Sequence, residues 1–350
     1  MAFTPILTTA GDVSVAYQTK FNTELLERVI QLTVLDQFAK KEPFPKNAGA
    51  KTMTFFRQKA GAASGATGLG YGTGASPAAG EVQLLTEGTL ASTSSVIGYD
   101  TVLATMLQYG SVYEFSDILG MTGLFNTLNG IKERIAEVAA LHADDIVRDI
   151  IAGLGITTAT PAGAFGRMYA QGAASFAALS AAAAGSVELT VQDMLRAFTQ
   201  LQINRAPKKN GKYYMVVPPQ VAYNLMLDPK WLNIGFYQDK SQFVKGEVGQ
   251  LYGVSIVVAT NPFRETSGGT EGTYAGAGTI YDSFAMGSEA FATPIMAGQS
   301  PYNPRINIVD TADKFDVLNQ LTAVGWKAYW CCVTLNTAWG INMKAKTSFA

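Results

Sequence analysis

The chain has 350 residues, 27 of them acidic and 26 basic, which gives a formal charge of −1. This balance argues against a protein whose main activity is to grip nucleic acid through its phosphates. A chain of this length is more than one compact core usually holds, so we expect two domains, or one domain with long extensions. Charged residues are only 15% of the chain and hydrophobic residues 48%, so we expect much of the surface to lie in subunit interfaces.

Residues 1–50 begin with a polar extended piece and continue with a short predicted helix, Asn22–Lys41. Its apolar positions recur at helical spacing: Leu25, Val29, Leu32, Leu35 and Phe38. Glu42–Ala50, with two prolines and a glycine, ends the pattern. We interpret this region as an arm. The N-terminus lacks the pattern of a signal peptide and no apolar run reaches about 18 residues, so neither export nor a membrane span is predicted.

After residue 50 the side-chain pattern repeats every two residues. This alternation predicts strands at Lys51–Gln58 and Ser92–Gln108. Between them lies Gly61–Gly80, which has almost no charge and almost no apolar bulk. Such a segment buries too little to offset its own ordering entropy unless something else holds it. We therefore predict a long hairpin that projects from the body.

The glycines of this hairpin raise the alternative of a nucleotide-binding loop. Gly65, Gly68, Gly70, Gly72 and Gly74 do not follow the G-x-G-x-x-G order, no Lys-Ser/Thr pair follows them, and the next predicted element is a strand. A loop without a phosphate is the favoured interpretation.

The longest helical pattern runs from Asn126 to Gly153. One flank is apolar through residues at three- and four-residue steps: Ile131, Ile135, Val138, Leu141, Ile146 and Ile150. The charged residues lie mostly off this stripe, and Gly153 is a suitable C-terminal cap. The pattern predicts a long helix with one buried flank.

This helix carries the only histidine, His142, and Asp145 and Asp149 follow it on the same face. A metal site or a Ser-His-Asp hydrolase could use such residues. However, there is no second histidine, no H-E-x-x-H motif and no G-x-S-x-G elbow. Solvated or subunit-pairing charges are the favoured interpretation. We predict no enzymatic activity, and no catalytic, cofactor or metal residue is assigned.

A mixed α/β unit is predicted next. Thr190 and Asp193 form a capping-box-like start to a helix that runs to about Ile203. Lys212–Val217 and Val254–Ala259 are apolar strand candidates, and Val221–Leu227 is a short helix.

Towards the C-terminus, Ile280–Met296 predicts strand-like pieces and Pro301–Asp310 a surface crossing. The last forty residues predict strands, with Val324, Trp326, Ala328 and Trp330 on one face. The two cysteines, Cys331 and Cys332, are adjacent within an apparent strand, where their side chains would point apart. We expect reduced thiols.

Several stretches resemble, in order, the major capsid proteins of tailed bacteriophages, and within them the family of the phage N-four capsid protein. These stretches are KTMTFFRQ from Lys51, LLTEGTL from Leu84, LQYGSVYEFSDIL from Leu107, the long helix, LYGVSIVVATN from Leu251 and VGWKAYW from Val324. The resemblance covers nearly the whole chain.

The resemblance implies an α+β fold of the Hong Kong ninety-seven phage capsid type. It implies an N-terminal arm (1–50), an E-loop with its strands (51–110), a peripheral domain with the long spine helix (111–189), an axial domain (190–304) and return strands of the peripheral domain (305–350). The charge-poor hairpin would then be the E-loop, which faces other subunits.

The implied function is a structural major capsid protein that forms pentamers and hexamers of an icosahedral head around double-stranded DNA. Its implied location is the virion, after assembly in the bacterial host cytoplasm. The chain lacks a long scaffolding-like N-terminal segment, so the expected partners are further copies of itself, a separate scaffold protein, a portal and decoration or cement proteins. Contacts with the packaged DNA are expected to be weak and non-specific, and no membrane partner is expected.

Two alternatives and one exclusion accompany this interpretation. An encapsulin-like nanocompartment shell shares the fold, and a nucleotide-binding enzyme would use the glycine-rich loop. The Lys-to-Asn crosslinking known in the Hong Kong ninety-seven phage capsid is not carried over. Lys51 and Lys59 flank the base of the loop, but no motif assigns an acceptor or an activating carboxylate, so no covalent chemistry is predicted.

Overall fold

The computed structural model describes residues 34–44, 51–58, 87–88, 99–122, 127–153, 164–231, 247–251, 253–261, 263–269, 271, 273–275, 279–296, 305–309, 318 and 320–349. The hairpin tip Gly61–Gly80, residues 22–33 of the first predicted helix, residues 92–98 of the second predicted strand and Lys59 lie outside these ranges.

Five α-helices and sixteen strands are formed in the described ranges. The helices are α1 (Asp117–Thr122), α2 (Thr127–Ala152), α3 (Phe176–Ala181), α4 (Val191–Ile203) and α5 (Pro219–Leu227). The strands are β1 (Pro43–Phe44), β2 (Thr52–Gln58), β3 (Tyr99–Thr105), β4 (Leu107–Ser116), β5 (Gly166–Tyr169), β6 (Tyr213–Val217), β7 (Glu247–Leu251), β8 (Val254–Val258), β9 (Arg264–Glu265), β10 (Ile280–Met286), β11 (Phe291–Ala292), β12 (Ile295–Met296), β13 (Arg305–Val309), β14 (Leu321–Trp330), β15 (Val333–Thr334) and β16 (Gly340–Lys346).

The largest sheet has seven strands in the order β5-β16-β10-β6-β8-β7, with β9 also paired to β10. Its central strand β10 is buried at every position, as expected for a strand covered on both faces. Residues of β6 alternate between two cores. Met215 packs with α4 and α5 on one face, and Val216 packs with the end of α2 on the other.

The second sheet is antiparallel, in the order β13-β14-β4. The predicted alternation of β14 is confirmed, because Val324, Trp326, Ala328 and Trp330 are all buried. The first three pack with Ile135 of α2, which therefore covers one face of this sheet. α2 thus joins the two sheets: its first half packs on the three-stranded sheet and its second half, with Val147 and Ile151, on the seven-stranded sheet.

The local signals that end and begin helices act as predicted. Gly153 follows α2 with a φ of +89°, a left-handed conformation that glycine adopts without steric cost. Thr190 caps α4 through a capping box with Asp193. α5 begins two residues earlier than predicted, with Pro219 in its first turn, where the missing N–H of proline is harmless.

Three predictions are wrong in part. The first predicted helix does not reach Lys41: the described segment has one 3₁₀ turn, Leu35–Phe38, after which Ala39 is extended. The predicted surface crossing Pro301–Asp310 contains a strand, β13, which pairs along β14. Cys331 and Cys332 lie between β14 and β15 and not within a strand, and both are free thiols.

The last strands divide between the sheets. β14 pairs with β4 in the three-stranded sheet, whereas β16 pairs with β10 and with β5 in the seven-stranded sheet. The range 305–350, expected to return to the peripheral domain, therefore contributes one strand to the sheet of the expected axial range.

Candidate subunit-contact surfaces

The strands that flank the predicted hairpin form a separate two-stranded ribbon. β2 and β3 pair from Thr52 opposite Thr105 to Gln58 opposite Tyr99. The inner face of the ribbon packs on the body through Met53 and Phe55, against a cluster that includes Phe44 and Met106. The ribbon is therefore anchored at its base.

Arg57 strengthens this anchor. Its Nη1 donates to the carbonyl oxygen of Leu335 at 3.0 Å, and its Nη2 donates to Asp100 Oδ2 at 3.3 Å across the ribbon. A guanidinium fork that binds a backbone carbonyl and a carboxylate together fixes direction as well as distance. The ribbon is held at a defined angle to the body.

The outer face of the ribbon is apolar and exposed. Phe56 is 72% exposed, Leu103 62% and Tyr99 61%. Strand alternation and register place these three side chains on one face, where Phe56 is a diagonal neighbour of both Leu103 and Tyr99. A narrow ribbon with large apolar side chains on its open face is typical of a surface that another chain covers.

The three-stranded sheet has a second open face. Helix α2 covers one side of the sheet, while Val112 and Val309 on the other side are 59% and 49% exposed. Gly325, which lies opposite Val112 on β14, leaves room beside that side chain. The strand register places Glu114, Asn307 and Lys327 on the same face, so the face is mixed and an antiparallel sheet can leave it in water. It is a second, less apolar candidate contact surface.

A third apolar surface lies where α5 meets the segment that follows β16. The rings of Tyr223 on α5 and Phe349 near the C-terminus meet edge to face, with 5.3 Å between their centroids. Both are about half exposed, as is Leu227 at the end of α5. The chain end is thus packed onto α5 and extends the apolar surface of that helix.

Buried polar groups that the sequence did not single out hold Leu35 on α2 and hold Asp36 on the segment between β11 and β12. Asp144 of α2 is buried and accepts a hydrogen bond from the backbone N–H of Leu35 at 3.1 Å. Burial raises the pKa of Asp144 to about 7. Asp36, also buried, accepts a hydrogen bond from Thr293 at 2.7 Å and pairs with Lys41 at 2.9 Å.

The residues weighed as a metal site are held by an arginine of the same chain. Asp145 and Asp149 each lie 2.8 Å from the guanidinium of Arg148, and His142 packs edge to face on Tyr109. The structure therefore adds a pair within the chain to the expected solvated or subunit-pairing charges, and the side chain of Asp145 is still 38% exposed. Among the described residues, no group of three or more His, Cys, Asp or Glu side chains is arranged to hold a metal ion.

Arg148 is itself nearly inaccessible, although its place in the charged pattern suggested an exposed residue. Its Nη1 donates to Asn261 Oδ1 at 2.8 Å, and its guanidinium lies 4.6 Å from the centre of the Tyr274 ring. It therefore ties α2 to the segment that follows β8. The only sequence signal was its position one turn after Asp145 and Asp144, which does not distinguish a buried arginine from a surface one.

Of the remaining residues that the sequence singled out around the loop, only Lys51 lies in the described part of the chain. Lys51 is exposed, and its carbonyl oxygen accepts the N–H of Met106 at the base of the ribbon. The glycine-rich loop and Lys59 lie outside the described residues. Within the described helices, none combines the length and apolarity that a membrane crossing requires.

Comparison with known proteins identifies the fold. Neither a protein-family model nor a curated protein matches the chain. Solved structures do match. The capsid of cyanophage P-SCSP1u is 17% identical with a TM-score of 0.60, covering 98% of this chain and 93% of that one. The capsid of cyanophage Pam1 is 11% identical with a TM-score of 0.62, covering 99% and 97%. The capsid of Ralstonia phage GP4 is 12% identical with a TM-score of 0.60, covering 89% and 87%.

The chain therefore has the fold of bacteriophage capsid proteins. It is the α+β capsid fold of the Hong Kong ninety-seven type, as the resemblance implied, and the likeness extends over nearly the whole length of the chain.

Proposed function

We propose that this chain is the major capsid protein of a tailed bacteriophage. In this role it forms the pentamers and hexamers of an icosahedral head that encloses double-stranded DNA, and it turns over no substrate. The observation that carries the proposal is the match to phage capsid structures over nearly all of both chains, because an enzyme that had only borrowed part of the fold would match over part of its length.

The exposed apolar surfaces support the same role. The outer face of the ribbon leaves Phe56, Tyr99 and Leu103 in water, and burial of such side chains favours association by about 25 cal/mol per Å² of apolar area. In a closed shell each contact is repeated at every subunit, so weak individual contacts add up. We infer that the ribbon lies over a neighbouring subunit.

The domain limits form part of the proposal: an arm (1–50), an E-loop with its strands (51–110), a peripheral domain with the spine helix (111–189), an axial domain (190–304) and return strands (305–350). The pairing of β14 with β4, and of β13 with the other edge of β14, supports a return to the peripheral domain. β16 pairs with β10 instead, so we assign that strand to the axial sheet.

The further partners and the location are also proposals. We infer a separate scaffold protein, a portal and decoration or cement proteins. Contacts with DNA would be weak because a nearly neutral chain offers little phosphate neutralisation. The mature location would be the virion, after assembly in the bacterial cytoplasm.

The test is expression of the chain with and without the scaffold gene of its own genome, followed by negative-stain microscopy. Closed shells of uniform size are expected with the scaffold. Small discrete oligomers that bind nucleotide in a saturable manner would refute the capsid role. Shells that enclose an enzyme instead of DNA when purified from the native source would favour the nanocompartment alternative.

A further inference from the structure

One lysine is buried completely between two carboxyl groups in the seven-stranded sheet. Lys344 Nζ lies 2.7 Å from Glu265 Oε1, and it lies 3.2 and 3.1 Å from Asp282 Oδ1 and Oδ2. None of the three side chains has accessible surface. The rings of Phe176 and Phe263 lie 5.9 and 5.8 Å from the same nitrogen. This is an apolar, closed site around three ionisable groups, which is a costly arrangement for a protein core.

Strand pairing fixes the three groups in place. Lys344 on β16 lies directly opposite Asp282 on β10, and Glu265 on β9 pairs with Ile280 of the same strand β10. Because Lys344 Nζ is almost equally distant from both oxygens of Asp282, it faces the carboxyl carbon between them. Asn342, two residues before Lys344, donates its Nδ2–H to Asp282 Oδ2 at 2.6 Å. The nitrogen is therefore held against a carbon whose oxygen already has a hydrogen-bond donor.

The charges in the site do not balance if all three groups are ionised. One ammonium neutralises one carboxylate, and a second carboxylate would leave a net negative charge without water in the core. One carboxyl group is therefore expected to hold a proton. Burial raises the pKa of Asp282 from 3.8 to about 6, so its neutral form is more accessible than that of an ordinary aspartate. A protonated carboxyl group is open to attack by an amine, whereas a carboxylate is not.

We propose that Lys344 and Asp282 become joined by an isopeptide bond within one chain, with Glu265 as the proton carrier. Glu265 takes a proton from the Lys344 ammonium, and the resulting amine attacks Asp282 Cγ. The oxygen that accepts the Asn342 hydrogen bond carries the developing negative charge. Glu265 relays the second amine proton to the leaving hydroxyl group.

The balance of this step is complete without any oxidant or co-reactant. One C–N bond forms, the C–OH bond of Asp282 breaks, one water leaves, and Glu265 retains one proton. The ammonium, the neutral Asp282 carboxyl group and the Glu265 carboxylate have zero net charge together, as do the products. Fixed proximity of the reacting groups is what makes such a step accessible without an external catalyst.

The bond would link β10 to β16 inside a single subunit. It is therefore different from a crosslink between subunits, and it does not depend on the proposed capsid role. Its consequence is mechanical: β16 is the last strand of the chain, and the bond would prevent that strand from peeling off the sheet.

The experiment is intact-mass measurement of the purified, denatured full-length chain, followed by tryptic mapping. The wild-type chain should be lighter than the Lys344→Arg variant by the mass of one water beyond the side-chain difference. Trypsin should leave Lys344 uncut and yield residues 265–305 joined to 328–346. Lys346 is the internal control: it is buried on the same strand but donates only to the carbonyl oxygens of Ser180 and Ala182, and it should be cut normally.

Two further results decide the assignment. Glu265→Gln keeps the shape of the side chain but cannot carry the proton, so this variant should retain the full mass. If it loses water at the same position as the wild type, the role of Glu265 is wrong. If the wild-type chain has its full mass and Lys344 is cleaved, the bond does not form and the cluster is a buried ion pair. Loss of water with Lys344 still cleavable would indicate a succinimide and would also overturn the proposal.

Discussion

Replacement of Arg148 by Met tests whether α2 is held by a buried charge against the segment that follows β8. It does so more directly than any change on the apolar flank of the helix. Arg148 is 4% exposed. Its guanidinium lies 2.8 Å from each of Asp145, Asp149 and Asn261. Met can occupy much of the same volume against the neighbouring Tyr274 ring. The change therefore removes the charge and its hydrogen bonds while most of the packing is kept.

The expected magnitude follows from burial. Removal of one partner of a buried ion pair typically costs about 3–5 kcal/mol, because the other charge is left in the core. The side chain of Asp145 is 38% exposed and that of Asp149 23%, so water can compensate in part. We therefore expect the lower end, about 3 kcal/mol.

The effect should also depend on pH. Burial raises the pKa of Asp149, and Arg148 opposes that shift. Without Arg148 the pKa of Asp149 rises further in the folded chain. A raised carboxyl pKa gives stability that is present at low pH and lost as the pH rises through it. The Arg148→Met variant should therefore be closer to wild type at pH 5 than at pH 8.

The matched control lies on the same helix. Arg134 pairs with Glu137 at 2.9 Å, but its side chain is 62% exposed, and such a surface pair contributes about 0.3–0.5 kcal/mol. Urea unfolding of the soluble subunit, followed by far-ultraviolet circular dichroism, gives the free energy of unfolding of both variants. Equal losses for Arg148→Met and Arg134→Met would refute the buried role of Arg148.

Three further predictions concern the arm and the ribbon. The pKa of Asp144 is about 7 in the folded chain against 3.8 normally, so the wild-type chain should lose stability as the pH rises from about 4 to 7. The Asp144→Asn variant should lack this pH dependence. An unchanged pH profile of urea unfolding would contradict this. Phe56→Ser should change the free energy of unfolding of the subunit by less than about 0.5 kcal/mol and yet reduce the yield of shells. Met53→Ser, on the inner face of the ribbon, should instead destabilise the subunit itself, and the same result for both would remove the distinction between the faces. Deletion of residues 62–79 should leave the circular dichroism of the subunit unchanged and prevent closed or stable shells in sedimentation, whereas an unfolded product would show that the loop belongs to the subunit core.

The sequence by itself determined those elements whose signals are local. The 3.6-residue period and Gly153 are enough to define α2, and Thr190 and Asp193 define the start of α4, because both signals act within a few residues. The alternation from Val324 to Trp330 likewise fixes which face of β14 is buried. The ordered resemblance of several stretches to phage capsid proteins supplied the fold.

Only the tertiary structure decided where charged and borderline segments lie. The sequence pattern places Arg148 among surface residues, but in the fold it donates a hydrogen bond to Asn261, 113 positions away. Lys344 has no distinguishing signal in its strand, but β9 and β10 place two carboxyl groups beside it. β13 likewise exists because β14 offers it a free edge. The physical reason is the same in each case. Whether a charge is buried, or an apolar stretch is a strand, depends on the free energy of pairing with a partner that is distant along the chain, and no spacing within the segment itself encodes that partner.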